Sequence, residues 1–255
     1  MKKALTASLV AATSLATAAG AHPDDRPRTV LAVLAHPDDE LVFAPALAAE
    51  ARSGSDVRII FVTSGDAGPG VSDYEPGEAL AQARQREALC AGDALNVSVE
   101  FLEGHADGTL TQTPRAPDSP AKKLLEDLGP AIGSWKPEIV ITWGPDGGYG
   151  HGDHRMVSAL VTQVLQEQPA EERPELYYPA FIHAPLPPIL SGQGWTPTAP
   201  DLAEISYAYS EADLAAAQAA ALCYETQFDE ATRATIARGF HALVWKGEVS
   251  FRSAF

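Results

Sequence analysis

Short apolar runs alternate along this chain with longer stretches of helical periodicity. Thr29 to Ala35 is β-branched and apolar and stops abruptly at His36-Pro37-Asp38-Asp39-Glu40, the pattern of a strand buried on both faces. Leu41 to Arg52 then sets Leu41, Pro45, Leu47 and Ala48 at roughly helical spacing, and Gly54 closes the segment. Asp56 to Thr63 is a second buried strand, followed by the Gly-rich loop Ser64 to Gly70. The series continues with a helix from Gly77 to Leu95, a strand from Val97 to Leu102 and a helix between Pro120 and Ser134. A strand from Glu138 to Trp143 and a helix from about Asp153 to Gln168 complete it. This β, loop, α succession predicts an α/β fold, Rossmann-like, with a mostly parallel sheet and helices on both faces.

Beyond Pro169 the pattern loosens. Leu176 to Ile182 reads as a strand and Ala184 to Pro200 as a long Pro-rich loop or flap. Two helices, about Glu211 to Phe228 and Glu230 to Gly239, precede an irregular tail. With no internal repeat and no linker, residues 22–255 read as one domain.

The first 21 residues differ from the rest. Lys2 and Lys3 precede an apolar stretch from Ala4 to Ala18, and Ala19-Gly20-Ala21 offers a small-residue cleavage site, the three parts of a secretory signal peptide. The expectation is a periplasmic or secreted protein without stable membrane insertion, because this run is short for a bilayer span and no later one is long enough. Loss of Lys2 and Lys3 would take the formal charge from −16 to −18. Such a surface repels nucleic acid and anionic membranes and suits a neutral small molecule such as a sugar or glycoconjugate. Cys90 and Cys223 both fall in helical patterns and read as two buried thiols, although export makes a bridge chemically possible.

In open α/β sheets, ligands gather where loops leave the carboxyl ends of strands. His36, Asp38, Asp39 and Glu40 stand at such a position after the first strand, and His151, Asp153 and His154 after a later one. Imidazole and carboxylate are donors that zinc accepts, and three protein ligands leave one position for water. The same set suits ferrous iron or another divalent metal, so the donors alone do not name the ion. Of two adjacent aspartates, one can bind metal while the other takes a proton from water. Helix N-capping by Asp39 and Asp153 is the plain alternative, but it leaves the histidines unexplained. Ala21-His22-Pro23-Asp24-Asp25 duplicates the first motif outside a strand-to-helix context and reads as coincidence or an accessory feature.

The sequence resembles the LmbE-like, or PIG-L, metal-dependent de-N-acetylases that act on N-acetylglucosaminyl conjugates. Ala35-His36-Pro37-Asp38-Asp39-Glu40 matches their first motif and Gly147-Gly148-Tyr149-Gly150-His151-Gly152-Asp153-His154 their second, with Gly152 where the family commonly has proline. The likeness covers Thr29 to about Gln227. It implies a deacetylase in which His36, Asp39 and His154 bind Zn2+ and Asp38 is the general base. It also implies that Tyr149 stabilises the oxyanion, that His151, partly protonated, helps with that charge or with the leaving amine, and that Asp153 orients His151.

Weaker matches are Arg84 and Glu87, which look like the family's Arg-x-x-Glu, the Asp107-Gly108 pair, and Gln227, all candidates for holding sugar hydroxyls. Tyr224 and Thr226 depart from the family's His-x-Ser-Gln around that glutamine. The plain alternatives are a helix-surface ion pair for Arg84 and Glu87 and a turn for Asp107. His105, His183 and His241 read as surface or satisfied core residues. Gly65, Gly68 and Gly70 follow a strand but lack the spacing and lysine of a phosphate loop. The Pro-rich segment with Trp195 is placed either to wall the substrate pocket or to serve as a solvated connection. Competing functions are a zinc hydrolase of another amide or of an ester, and a non-catalytic carbohydrate-binding protein.

Overall fold

The computed structural model describes residues 26–182 and 186–255. The signal-peptide segment, the second His-Pro-Asp-Asp copy and His183 lie outside the described residues. Seven strands, β1 (Thr29–Leu34), β2 (Asp56–Phe61), β3 (Ser98–Phe101), β4 (Ile139–Ile141), β5 (Glu175–Pro179), β6 (Ile205–Ala208) and β7 (Glu248–Ser253), form a sheet in the order β3-β2-β1-β4-β5-β7-β6. The first five are parallel, and β7 and β6 close one edge antiparallel. This is the mostly parallel α/β architecture that the alternating pattern predicts.

The helices are α1 (Ala44–Arg52), α2 (Glu78–Leu95), α3 (Pro120–Trp135), α4 (Gly152–Gln166), α5 (Pro188–Gly192), α6 (Glu211–Leu222) and α7 (Glu230–Phe240). Alternate side chains of a strand point to opposite faces, and β1 serves two cores in that way. Val30, Ala32 and Leu34 pack with Leu47, Leu95 and Ala217 of α1, α2 and α6. Leu31 and Val33 pack with Leu124 and Leu128 of α3 and Val157 and Val161 of α4. Being buried on both sides, β1 has no polar position after Thr29, hence its unbroken apolar run from Val30. Ala217, Ala220 and Ala221 are fully buried, and their small side chains let α6 lie against α1, α2 and α7. At its start Ser210 and Asp213 form a capping box, and Asp213 also receives Arg52 of α1 at 2.8 and 3.0 Å.

Three expectations are corrected. The tail is not irregular: β7 pairs with β5 and β6. The Pro-rich segment contains the short helix α5. Cys90 and Cys223 are not buried thiols but a disulfide, with Cα atoms 5.8 Å apart. Cys90 lies on the outer side of α2 and Cys223 caps α6, so the packing of two helices, not the periodicity of either, brings them together.

Strand order reverses between β1 and β4. The chain leaves β1 towards β2 on one side, while β4 lies on the other, with Ala32 opposite Ile141. The loops that follow these two strands therefore emerge side by side although more than a hundred residues separate them.

Candidate metal centre and active site

The loop after β1 turns sharply at Asp38, whose φ of +95° is in the left-handed region. Aspartate tolerates that region better than most residues, because its short polar side chain bonds locally. The turn is held from three sides. Asp38 N–H donates to Glu40 Oε2 at 3.2 Å, Arg84 Nη2 donates to Pro37 O at 2.6 Å, and the same nitrogen reaches Asp38 Oδ2 at 3.3 Å. Tyr224 fixes the other oxygen of Glu40 by donating to Oε1 at 2.6 Å. Arg84 approaches through Gly65, whose carbonyl it meets at 3.1 Å and where any Cβ would fall inside the guanidinium. Burial raises the pKa of Asp38 to about 6 against the opposing pull of Arg84.

Asp39 points into the sheet end. Its Oδ2 accepts from the backbone N–H groups of Ala35 and His36, both at 3.0 Å, which leaves Oδ1 facing His154 Nε2 at 3.0 Å. Burial would raise this carboxyl, but the neighbouring His154 and His36 hold it well below the usual range. His154, on the first turn of α4, is completely buried, with Nδ1 3.2 Å from Gly147 O and its ring stacked on Trp143 at 4.6 Å. A hydrogen on Nδ1 bonded to that carbonyl leaves Nε2 bare toward the site, the usual second-layer arrangement around a metal-binding imidazole. Gly148, at φ +69°, allows the loop to pass this ring stack, because a Cβ there would come within 2.6 Å of Trp143.

His36 joins two groups. Its Nδ1 lies 3.2 Å from His154 Nε2 and 3.9 Å from Asp39 Oδ2. Its Nε2 stands 2.9 Å from Asp107 Oδ1 and 3.7 Å from Asp153 Oδ2, yet no hydrogen bond there is aligned. Donor atoms of His36, His151 and His154 lie within 4.8 Å of one another, as do those of His36, Asp107 and Asp153. Burial favours neutral His36, but Asp107 and Asp153 outweigh it and raise its pKa to about 10. Asp38, Asp39, Asp107 and Asp153 thus surround a point that calls for positive charge. Ligands about 2.1 Å from a tetrahedral ion stand roughly 3.4 Å apart, and the 3.0 Å between Asp39 Oδ1 and His154 Nε2 and the 3.2 Å between His154 Nε2 and His36 Nδ1 lie just under that value. The residues present fit a divalent cation.

The second loop completes the site. His151 caps α4, its Nδ1 accepting from Asp153 N–H at 3.2 Å, and its ring lies 4.7 Å from His36. The backbone of Asp153 thus meets His151, while its carboxylate Oδ2 accepts from Gly108 N–H at 2.7 Å and faces His36. Burial, with His36 and His154 nearby, lowers the pKa of His151, so it shifts toward the neutral ring rather than toward partial protonation. Neither aspartate is a helix cap. Tyr149 stands over the site with its ring 5.3 Å from His154 and its edge open to solvent.

The weaker matches divide. Arg84 and Glu87 form no pair with each other and neither is a surface group free for sugar: Arg84 braces Asp38, and both oxygens of Glu87 accept from Thr226, at 2.7 and 2.6 Å. Asp107 is not a plain turn but the neighbour of His36, positioned by Asp66, which accepts its N–H at 2.9 Å. Gln227 donates to Gly68 O at 2.9 Å and lines the cleft beside Asp38. His105 faces Asp127 and His241 faces Tyr209. Asp66 is a scaffold residue that the sequence did not mark, and Glu40 and Tyr224, marked there as part of the first motif and as a departure from the family pattern, act here as braces.

The profile of the PIG-L family, described as GlcNAc-PI de-N-acetylase, matches residues 31–165, which carry both loops. The chain belongs to the PIG-L family. Among relatives of this PIG-L protein, the 1D-myo-inositol 2-acetamido-2-deoxy-alpha-D-glucopyranoside deacetylase of Corynebacterium diphtheriae is 34% identical over 139 residues, 49% of this chain and 47% of that one. The chain thus spans about half the length of the curated relatives it matches. A deacetylase of the teicoplanin biosynthetic pathway has the same fold, with a TM-score of 0.63, 16% identity and coverage of 88% of this chain and 97% of that one. So does the 4-carboxy-2-hydroxymuconate hydratase of Pseudomonas putida KT2440, with a TM-score of 0.58, 20% identity and coverage of 89% and 96%. A hydratase on the same PIG-L fold means that the residues of the site, not the fold, must carry the functional argument.

Proposed function

We propose that this protein hydrolyses the N-acetyl amide of an N-acetylglucosamine-type sugar or conjugate, using a divalent cation held by His36, Asp39 and His154, zinc being favoured because it acidifies water without redox chemistry. The observation that carries the reading is the convergence of Asp39 Oδ1, His154 Nε2 and His36 Nδ1 beside Asp38, with the second oxygen of Asp39 and the second nitrogen of His154 already engaged. In the other cluster, the oxygen of Asp153 that faces His36 already accepts from Gly108 N–H, and Asp107 Oδ1 stands 2.9 Å from His36 Nε2, on the far side of that ring from His154. That favours them as outer partners of His36. Bound zinc supplies an acidified water and a charge that polarises the amide carbonyl.

The chain's own groups supply the rest. Asp38, with a pKa of about 6, is ionised at neutral pH yet basic enough to take a proton from water. Arg84 and Glu40 hold it in its turn. The phenol of Tyr149 stays protonated, because burial and the nearby carboxylates of Asp39 and Asp38 raise its pKa, so it donates to a developing oxyanion. With Nδ1 of His151 occupied by Asp153 N–H, the hydrogen of the neutral ring is on Nε2, ready for the oxyanion or the departing amine.

The test is acetate release from a panel of N-acetylated sugars, peptides and esters together with metal analysis. The expected outcome is close to one zinc per chain and release from the sugars, lost with a chelator and restored by zinc. Release from esters or peptides alone would favour the broader hydrolase reading, and sugar binding with no release would favour a carbohydrate-binding protein. We also infer export to the periplasm or medium, supported by the Cys90–Cys223 bridge, which persists in oxidising compartments.

A further inference from the structure

From Asp38 and Asp39 a cleft of about 870 Å³ runs outward. That is near the upper end of small-molecule sites, roughly 300–1,000 Å³. Its inner part is polar, but beyond Tyr149 it is walled by Leu190, Trp195, Phe228, Ile236, Phe240 and Leu243. The rings form a continuous path: Trp143 stacks on His154 and lies 5.9 Å from Trp195, Trp195 lies 6.5 Å from Phe240, and Phe240 stacks on Trp245 at 5.1 Å. Leu243 is 48% exposed at the rim. Apart from Asp38 and Asp39, no charged side chain among the described residues lines the cleft, in a protein of net charge −16. Its outer polar groups are the neutral Gln193, Thr232 and Thr235.

These walls come from residues 187–195 and 227–244, outside the 31–165 stretch that matches the family. The family profile thus covers the reacting end, while the C-terminal third of the chain shapes the outer end. The substrate named for the Corynebacterium relative carries a polyhydroxylated inositol. Such a group would exchange its water for an aromatic and aliphatic wall with few partners, an unfavourable transfer.

We propose that the cleft receives an apolar aglycone, an aryl or alkyl group joined to the N-acetylated amino sugar. This rests on reading the reaction as deacetylation: an acetyl group is only two carbons long, so the length of the cleft falls to the portion attached through the sugar.

Calorimetric titration of the zinc-loaded protein with glucosamine, glucosaminyl-inositol, and the hexyl and phenyl β-glycosides of glucosamine tests this without turnover. The hexyl and phenyl glycosides are expected to bind at least tenfold more tightly than glucosamine, with a negative heat-capacity change from apolar burial. Leu243→Asp and Ile236→Asp, checked for folding by circular dichroism, are expected to remove at least fivefold of that gain. Equal affinities across the unmodified protein's series, or tighter binding of glucosaminyl-inositol, would overturn the proposal. So would N-octanoylglucosamine binding more tightly than hexyl N-acetylglucosaminide, since that places an acyl chain in the cleft. Failure to release acetate from any glycoside would count against the reaction, and the titrations would still decide the cleft.

Discussion

At the scale of single residues, Asp38 concentrates the most structure around the least stable conformation. A left-handed non-glycine residue costs of order 1–3 kcal/mol, and here Glu40, Arg84 and, through Glu40, the buried Tyr224 hold it in place. Asparagine also adopts that conformation readily, so Asp38→Asn changes the basicity while keeping the turn. Turnover is expected to fall about 10²–10⁴-fold with zinc content unchanged, as measured by steady-state acetate release and metal analysis of the same sample. A variant that keeps full activity removes Asp38 from the role of base. The histidines and aspartates of the centre were legible in the sequence because imidazole beside carboxylate, at the end of a buried strand, is the donor set a divalent cation takes. The bracing roles of Glu40, Arg84 and Tyr224 were not, because a glutamate, an arginine on a helix and a distant tyrosine acquire those roles only from the direction in which their side chains point. Tyr224, a departure from the family pattern in sequence, turns out to be the partner of Glu40.

At the scale of elements, the strands that build the centre were readable because they are buried on both faces and so apolar throughout. β6 and β7, with sequences ISYA and EVSFRS, are short and mix polar with apolar residues at the antiparallel end of the sheet, which hid β7 in an apparently irregular tail and β6 in the stretch before α6. The pairing of Cys90 with Cys223 was hidden for another reason: each cysteine obeys its own helix, and the bond belongs to the contact between α2 and α6. That bond closes a loop of 133 residues. Its removal in Cys90→Ser is therefore expected to cost about 2–4 kcal/mol, read as a lower midpoint in urea unfolding. Reductant should bring the unmodified protein to the same midpoint, and no shift in either experiment would mean that the bridge contributes nothing to the packing of these helices.

Over the whole molecule, the same buried carboxyls that make a cation site also set the dependence of stability on pH. In the metal-free protein Asp38 and Glu40 are raised by burial, to about 6 and about 8, and His36 is raised to about 10, since Asp107 and Asp153 outweigh its burial. Groups whose folded pKa exceeds the unfolded value stabilise fully below the unfolded value, and that contribution is lost as pH rises through the folded one. These three therefore weaken the fold progressively from about pH 4 to pH 10. Asp39, Asp107 and Asp213 are shifted the other way, by His154, His36 and Arg52 respectively, against the opposing effect of burial. Their contribution is present above the usual aspartate pKa and is lost as pH falls through their depressed values. The two sets together put the stability maximum of the metal-free protein on the acid side of neutrality, where the net negative charge is also smaller and self-repulsion weaker. A bound divalent cation takes over the charge that His36 carries as a proton, and at 100 times its dissociation constant adds about 2.7 kcal/mol. The expected result is a melting temperature that declines from about pH 5 to pH 9 with chelator present, and a flatter profile with zinc. Coincident profiles in differential scanning calorimetry, with zinc shown to be bound, would separate the buried acidic cluster from the metal.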